Sequence, residues 1–145
     1  VSYRFDARGG VLRIERIGPE PWGHVKQRID ARSLVGTTLE FSAELSGDLS
    51  EGPREGINAT GLGVRVRGYR PGMPRIAGRS ILLTAQGRPE LGPGRHDWSS
   101  QTVRFRVPEG ATDIEVSIRL GMHGTLAVRG PRLVVVEASA PEVGQ

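Results

Sequence analysis

Polar and apolar residues alternate along this chain with a period of two, and the pattern recurs. From Thr38 to Leu45, Leu39, Phe41, Ala43 and Leu45 share one parity while Glu40, Ser42 and Glu44 share the other. Side chains of a strand point alternately to opposite faces, so this segment reads as a strand with one buried and one wet face. Leu62 to Arg67, Thr102 to Val107 and Asp113 to Leu120 follow the same rule, with Arg65, Arg67, Arg104, Arg106, Glu115 and Arg119 outward. Val11 to Ile17 and Val25 to Ile29 are weaker examples. Ser80 to Ala85 and Leu133 to Glu137 are short apolar runs that read as strands buried on both faces. Thr125 to Arg129 predicts a further short strand, and Tyr3 to Asp6 an edge strand.

The segments between these strands are rich in turn formers. Gly9-Gly10 supports a tight turn, and Gly18-Pro19-Glu20-Pro21 suits neither a helix nor a central strand. Pro108 to Thr112 and Gly121 to Gly124 link later strands. Longer connections run from Gly68 to Arg79 and from Gly87 to Trp98. No window keeps a helical period for three turns. Many short strands with no helix predict an all-β, antiparallel jelly-roll β-sandwich: a single domain over residues 1–137, two sheets of about four strands each, and a tail at 138–145. Phe41, Phe105, Val116, Ile118 and Leu133 are the expected core.

Composition narrows the chemistry. The 145 residues include no cysteine, which excludes disulfides and thiolate metal sites. No apolar run reaches the ~20 residues of a membrane helix. The net charge of +4 invites a nucleic-acid reading, but 16 acidic residues are interleaved with the 20 basic ones. Lys26 is the one lysine, and such an arginine bias fits codon usage as well as a phosphate partner. Nucleic acid is therefore the disfavoured partner. The histidines, His24, His96 and His123, have no metal-ligand spacing, and no nucleophile, Walker or dinucleotide motif is present. Glu40 and Glu44 stand about 13 Å apart on one strand, too far for a paired-carboxylate site. The sequence predicts no enzyme.

The order of motifs resembles the galactose-binding-like jelly roll of the family 4/9/16/22 carbohydrate-binding modules. The matching features are Gly9 to Ile14, Pro21-Trp22-Gly23 with Gln27, and Leu34-Val35-Gly36 leading into Leu39 to Leu45. Asp97-Trp98, Phe105 and Val107 to Ala111 follow. The likeness spans Tyr3 to Glu137. It implies a non-catalytic module that recognises a glycan or another hydroxyl-rich or acidic ligand. A structural or protein-interaction domain of a larger bacterial protein is the alternative, supported by an aromatic content of 5%. The resemblance also implies a structural calcium, but the family's carboxylate position holds Arg129 or Gly130, and Asp6 alone cannot replace it. No cofactor is therefore expected. An extracytoplasmic setting, periplasmic or secreted, is favoured over the cytosol, and the oligomeric state stays open.

The candidate ligand contacts are Trp22, Arg65, Arg67 and Tyr69, with His24 and His123 secondary. Trp22 sits in a Gly/Pro-rich loop, where an aromatic plate can stack on a sugar ring or fold back as a lid on the core. Arg65 and Arg67 offer fixed guanidinium donors, or belong to a solvated lattice of arginines and glutamates on the outer faces. Gln27 reads as an amide bonded to loop backbone, and Trp98 as a packing aromatic.

Overall fold

The computed structural model describes residues 3–8, 10–16, 23–50 and 60–137. The described residues form nine strands: β1 (Tyr3–Arg8), β2 (Val11–Arg16), β3 (Gly23–Asp30), β4 (Thr38–Ser50), β5 (Gly61–Gly68), β6 (Ser80–Gln86), β7 (Gly94–Arg106), β8 (Ala111–Leu120) and β9 (His123–Glu137). They form a five-stranded sheet in the order β1-β2-β9-β4-β7 and a four-stranded sheet in the order β3-β8-β5-β6. Every pairing is antiparallel.

Only β1-β2 and β5-β6 are hairpins of consecutive strands within one sheet. Elsewhere the chain changes sheet between one strand and the next. A sheet face is therefore assembled from segments far apart in sequence, which matters for the site described below.

The period-two pattern builds the core. Leu39, Phe41 and Leu45 of β4, Val103 and Phe105 of β7, and Leu126 and Val128 of β9 face inward from the larger sheet. Val64 and Val66 of β5 and Ile114, Val116, Ile118 and Leu120 of β8 meet them from the smaller one. Each such side chain removed from water contributes about 1.5–3 kcal/mol. Four of the five expected core residues are buried, and Leu133 packs against the cluster partly buried.

Several expectations are corrected. Ser80 to Ala85 is not buried on both faces: β6 is the edge of the four-stranded sheet, and Ile81 is exposed. Leu133 to Glu137 and Thr125 to Arg129 are one strand, β9, whose register against β4 shifts opposite Gly130-Pro131. That irregularity is what made the sequence read as two strands. Beyond Arg129, β9 has left β2 behind, and Val134, Val135 and Val136 are exposed. β7 begins at Gly94, so the connection before it is shorter than the sequence suggested. Gln27 is exposed at the rim of the sandwich rather than held as a buried amide, because β3 is an edge strand. The Gly18 to Pro21 turn, Trp22 and the tail at 138–145 lie outside the described residues.

Candidate functional site

The outward parity of β3, β8 and β5 places one set of side chains on the outer face of the four-stranded sheet. Register aligns His24 with Arg119, then Lys26 with Ser117 and Gly63, then Arg28 with Glu115 and Arg65. The last row holds Asp30, Asp113 and Arg67. Beyond β5, Thr84 and Gln86 of β6 extend the middle rows.

This face is not a solvated surface. Glu115 and Asp113 are each only 5% exposed, and Ser117 is 3% exposed, although all three point away from the core. The reason is position: β8 is flanked by β3 and β5, and cationic side chains of β3 and of the loop before β6 lie against its carboxylates. Lys26 Nζ stands 3.8 Å from Glu115 Oε2, and Arg28 Nε 3.5 Å from Asp113 Oδ2. Arg79, arriving from the loop before β6, donates to Asp113 Oδ1 at 2.6 Å, and Thr112 Oγ1 donates to the same oxygen at 2.9 Å. Asp113 Oδ1 is pinned by these charge-assisted bonds, Asp113 Oδ2 is buried without a hydrogen-bond partner, and Glu115 is held by the ion pair with Lys26.

Gly63 has a steric role here. A Cβ at that position would lie 2.9 Å from Ser117 Oγ and 3.7 Å from Arg119 Cζ. The missing side chain makes room for Ser117 Oγ, and the Arg119 guanidinium lies in ordinary contact distance of the same position. Burial, and then the neighbouring Arg65, hold the Arg119 pKa below the ordinary arginine value, with Glu115 opposing.

The ends of the face are rimmed differently. At one end Tyr69 follows β5, its N–H donating to Gly110 O at 3.0 Å. Gly110 has φ 87°, and a Cβ there would run into the Tyr69 carbonyl, so only glycine permits this approach. Arg75 stacks over the Tyr69 ring at 4.9 Å and occupies one of its faces. At the other end His24 is held below the ordinary imidazole value of 6.5, chiefly by burial, then by Lys26 and Arg119, with Glu115 opposing and Arg65 adding. The unfolded chain therefore takes up this proton more readily than the folded one. The stability associated with neutral His24 is complete above 6.5 and is lost as pH falls through the folded-state midpoint. In an NMR titration the His24 ring should turn over below 6.5; a midpoint at or above that value would mean that Glu115 dominates its surroundings.

Of the sequence candidates, Arg65, Arg67 and His24 are brought onto this one face, with Tyr69 at its end. His123 is not: it opens β9 in the other sheet and is exposed there. The sequence reading missed Lys26, Arg28 and Arg79 as members, and treated Glu115 and Arg119 as lattice. Parity showed that these residues point outward, but nothing local showed that β3, β8 and β5 are neighbours.

The lattice reading does hold on the five-stranded sheet. There Glu40 sits opposite Arg104, and the exposed Glu44 accepts from Arg129 Nη2 at 3.0 Å. Arg129 also stacks over Trp98 at 4.0 Å. Trp98 is thus outside the core, in a groove of about 590 Å³ also lined by Arg13, Glu15, Asp48 and Arg95. Its parity, shared with Ser100, Thr102 and Arg104, turns it outward. With Arg129 so engaged, and offering no oxygen ligand, the residues here do not fit the calcium that the resemblance implied. Among the described residues no group of three or more His, Asp or Glu is placed to hold a metal. Among the described residues no helix is long and apolar enough to cross a membrane.

No family model matches the chain, and no curated protein matches it. Solved structures do. One described as "CBM4 structure and function" superimposes with a TM-score of 0.57 at 15% identity, over 92% of this chain and 77% of that one. "Family 16 Carbohydrate Binding Module-2" gives 0.51 at 15% identity, over 92% and 85%. The CBM22-1 xylan-binding domain of Paenibacillus barcinonensis Xyn10C gives 0.51 at 12% identity, over 94% and 82%. At such identities the likeness concerns the fold alone: the chain has the jelly-roll β-sandwich fold of carbohydrate-binding modules.

Proposed function

We propose that the chain is a non-catalytic recognition module that binds a glycan across the outer face of the four-stranded sheet. The observation that carries this reading is a pre-organised polar face built by β3, β8 and β5, on a fold shared with solved carbohydrate-binding modules. Guanidinium and hydroxyl groups packed on the sheet beside the ion pairs of β8 present hydrogen-bond donors close to the positions they take on binding, so little ordering is needed when sugar hydroxyls arrive. Arg65, Arg67 and Arg119 are the central contacts, with His24 and Tyr69 at the two ends. Trp22, immediately before β3, is the aromatic of the reading.

The same face argues against catalysis. Asp113 and Glu115 stand two residues apart on β8, about 6.6 Å along the strand. That span would suit a glycosidase pair, but each carboxylate is engaged by cations. Such engagement suits carboxylates that orient neighbouring donors, not an acid and base free to exchange a proton.

Calorimetric titration against a panel of soluble oligosaccharides tests the proposal. Micromolar to millimolar binding is expected, weakened by Arg65→Ala and by Trp22→Ala, with no sugar released from any ligand. A panel without a single binder returns the chain to the structural or protein-interaction reading.

A further inference from the structure

Resting on that glycan-binding reading, we propose that the ligand is an acidic glycan, its carboxylates received by Arg65, Arg67 and Arg119. Three observations converge on this.

The first is charge. Lys26, Arg28, Arg65, Arg67, Arg79 and Arg119 face or overlie this surface, against the buried carboxylates of Asp113 and Glu115 and the rim residue Asp30. All three acids are already engaged: Asp113 by Arg79 and Arg28, Glu115 by Lys26, and Asp30 by Arg32. Among the described residues no ion pair engages Arg65, Arg67 or Arg119. A cluster of like charges over a low-dielectric sheet repels itself, and a bound anion relieves that repulsion.

The second is an unmet donor. Arg65 Nε is buried and has no hydrogen-bond partner. A buried donor left unpaired costs free energy that an incoming oxygen recovers. Arg119, half-buried beside Arg65, is the adjacent guanidinium. Planar guanidinium forks match the two oxygens of a carboxylate.

The third is the shortage of stacking plates. Neutral sugar rings are gripped largely through aromatic faces. On this face the described residues offer only Tyr69, at its end and with Arg75 already on one side of the ring. Among the described residues, charged hydrogen bonds are thus the main source of affinity this face offers.

The experiment compares four probes on the whole chain: oligogalacturonate, its methyl ester, a neutral xylo-oligosaccharide and double-stranded DNA. The acid should bind at least ~10-fold more tightly than its ester, as expected for losing charged hydrogen bonds. Its affinity should fall as sodium chloride rises. Arg65→Gln with Arg119→Gln should remove that preference, while Arg104→Gln on the other sheet, which makes the same per-residue charge change, should not. Far-UV circular dichroism checks that the double variant folds. Because it relieves like-charge crowding, its melting temperature should not fall. Equal binding of acid and ester, or binding of the neutral oligosaccharide alone, overturns the acidic ligand and leaves the glycan module standing. Binding of none of the sugars overturns both. DNA binding as tight as the acid, or a preference surviving in the double variant, overturns the assignment to this face.

Discussion

Ile114→Ala should lower the stability of the fold by about 2–5 kcal/mol, read as a fall in the denaturant midpoint with an unchanged slope. Ile114 is fully buried on β8, one of the two inner strands of the four-stranded sheet, between Ile29 of β3 and Val66 of β5. The alanine leaves a cavity that the flanking strands cannot readily close, because the ladders on both sides of β8 hold the backbones at their spacing. The loss should spread beyond packing. Asp113 and Glu115 are its sequence neighbours on the opposite face, so loosening β8 also loosens the carboxylates that anchor the cationic surface. Weaker ligand binding at temperatures where the variant is still folded would reveal that coupling. A change below about 1 kcal/mol would mean that the two sheets repack around the site more freely than a close-packed interior allows.

Gln101→Leu should cost about 1–3 kcal/mol, although it replaces a polar side chain by an apolar one of similar size. Gln101 is 2% exposed on β7 and points inward. Its Oε1 accepts from Leu62 N at 2.7 Å, and its Nε2 donates to Pro89 O at 3.0 Å. It thereby ties the start of β5 to the loop between β6 and β7. Leucine leaves the Leu62 N–H buried without an acceptor, and that penalty outweighs the added apolar area. Gly61 and Gly87 both crowd this amide, so no larger residue fits at either position without displacing it. Thermal unfolding of Gln101→Leu beside Gln27→Leu separates a buried amide from an exposed one: only the first should melt markedly lower.

These two glutamines show where sequence reasoning stops. Gln27 follows the parity of Val25 and Ile29, so it read as the buried amide. Gln101 has the inward parity of Val103 and Phe105, but the alternating pattern in the sequence starts only at Thr102 and leaves it out. Parity tells which side of a strand a residue occupies. It does not tell what covers that side: β3 and β7 are both edge strands, yet Gln27 meets water while the start of β5 and the loop before β7 close over Gln101.

The sequence by itself determined that the chain is an antiparallel β-sandwich, and it located the inward residues of β4, β5, β7 and β8. Alternation is a local property of the backbone, and burying one face of every strand leaves few architectures. It also determined that Arg65 and Arg67 point outward together. Only the tertiary structure decided that His24, Lys26, Arg28, Arg65, Arg67, Asp113, Glu115 and Arg119 form one surface, and that His123 and Trp98 belong elsewhere. The jelly roll sends successive strands to opposite sheets, so strand adjacency is set by long-range pairing. A charged side chain's partners, and hence whether it is solvated lattice or a poised binding group, follow from that adjacency.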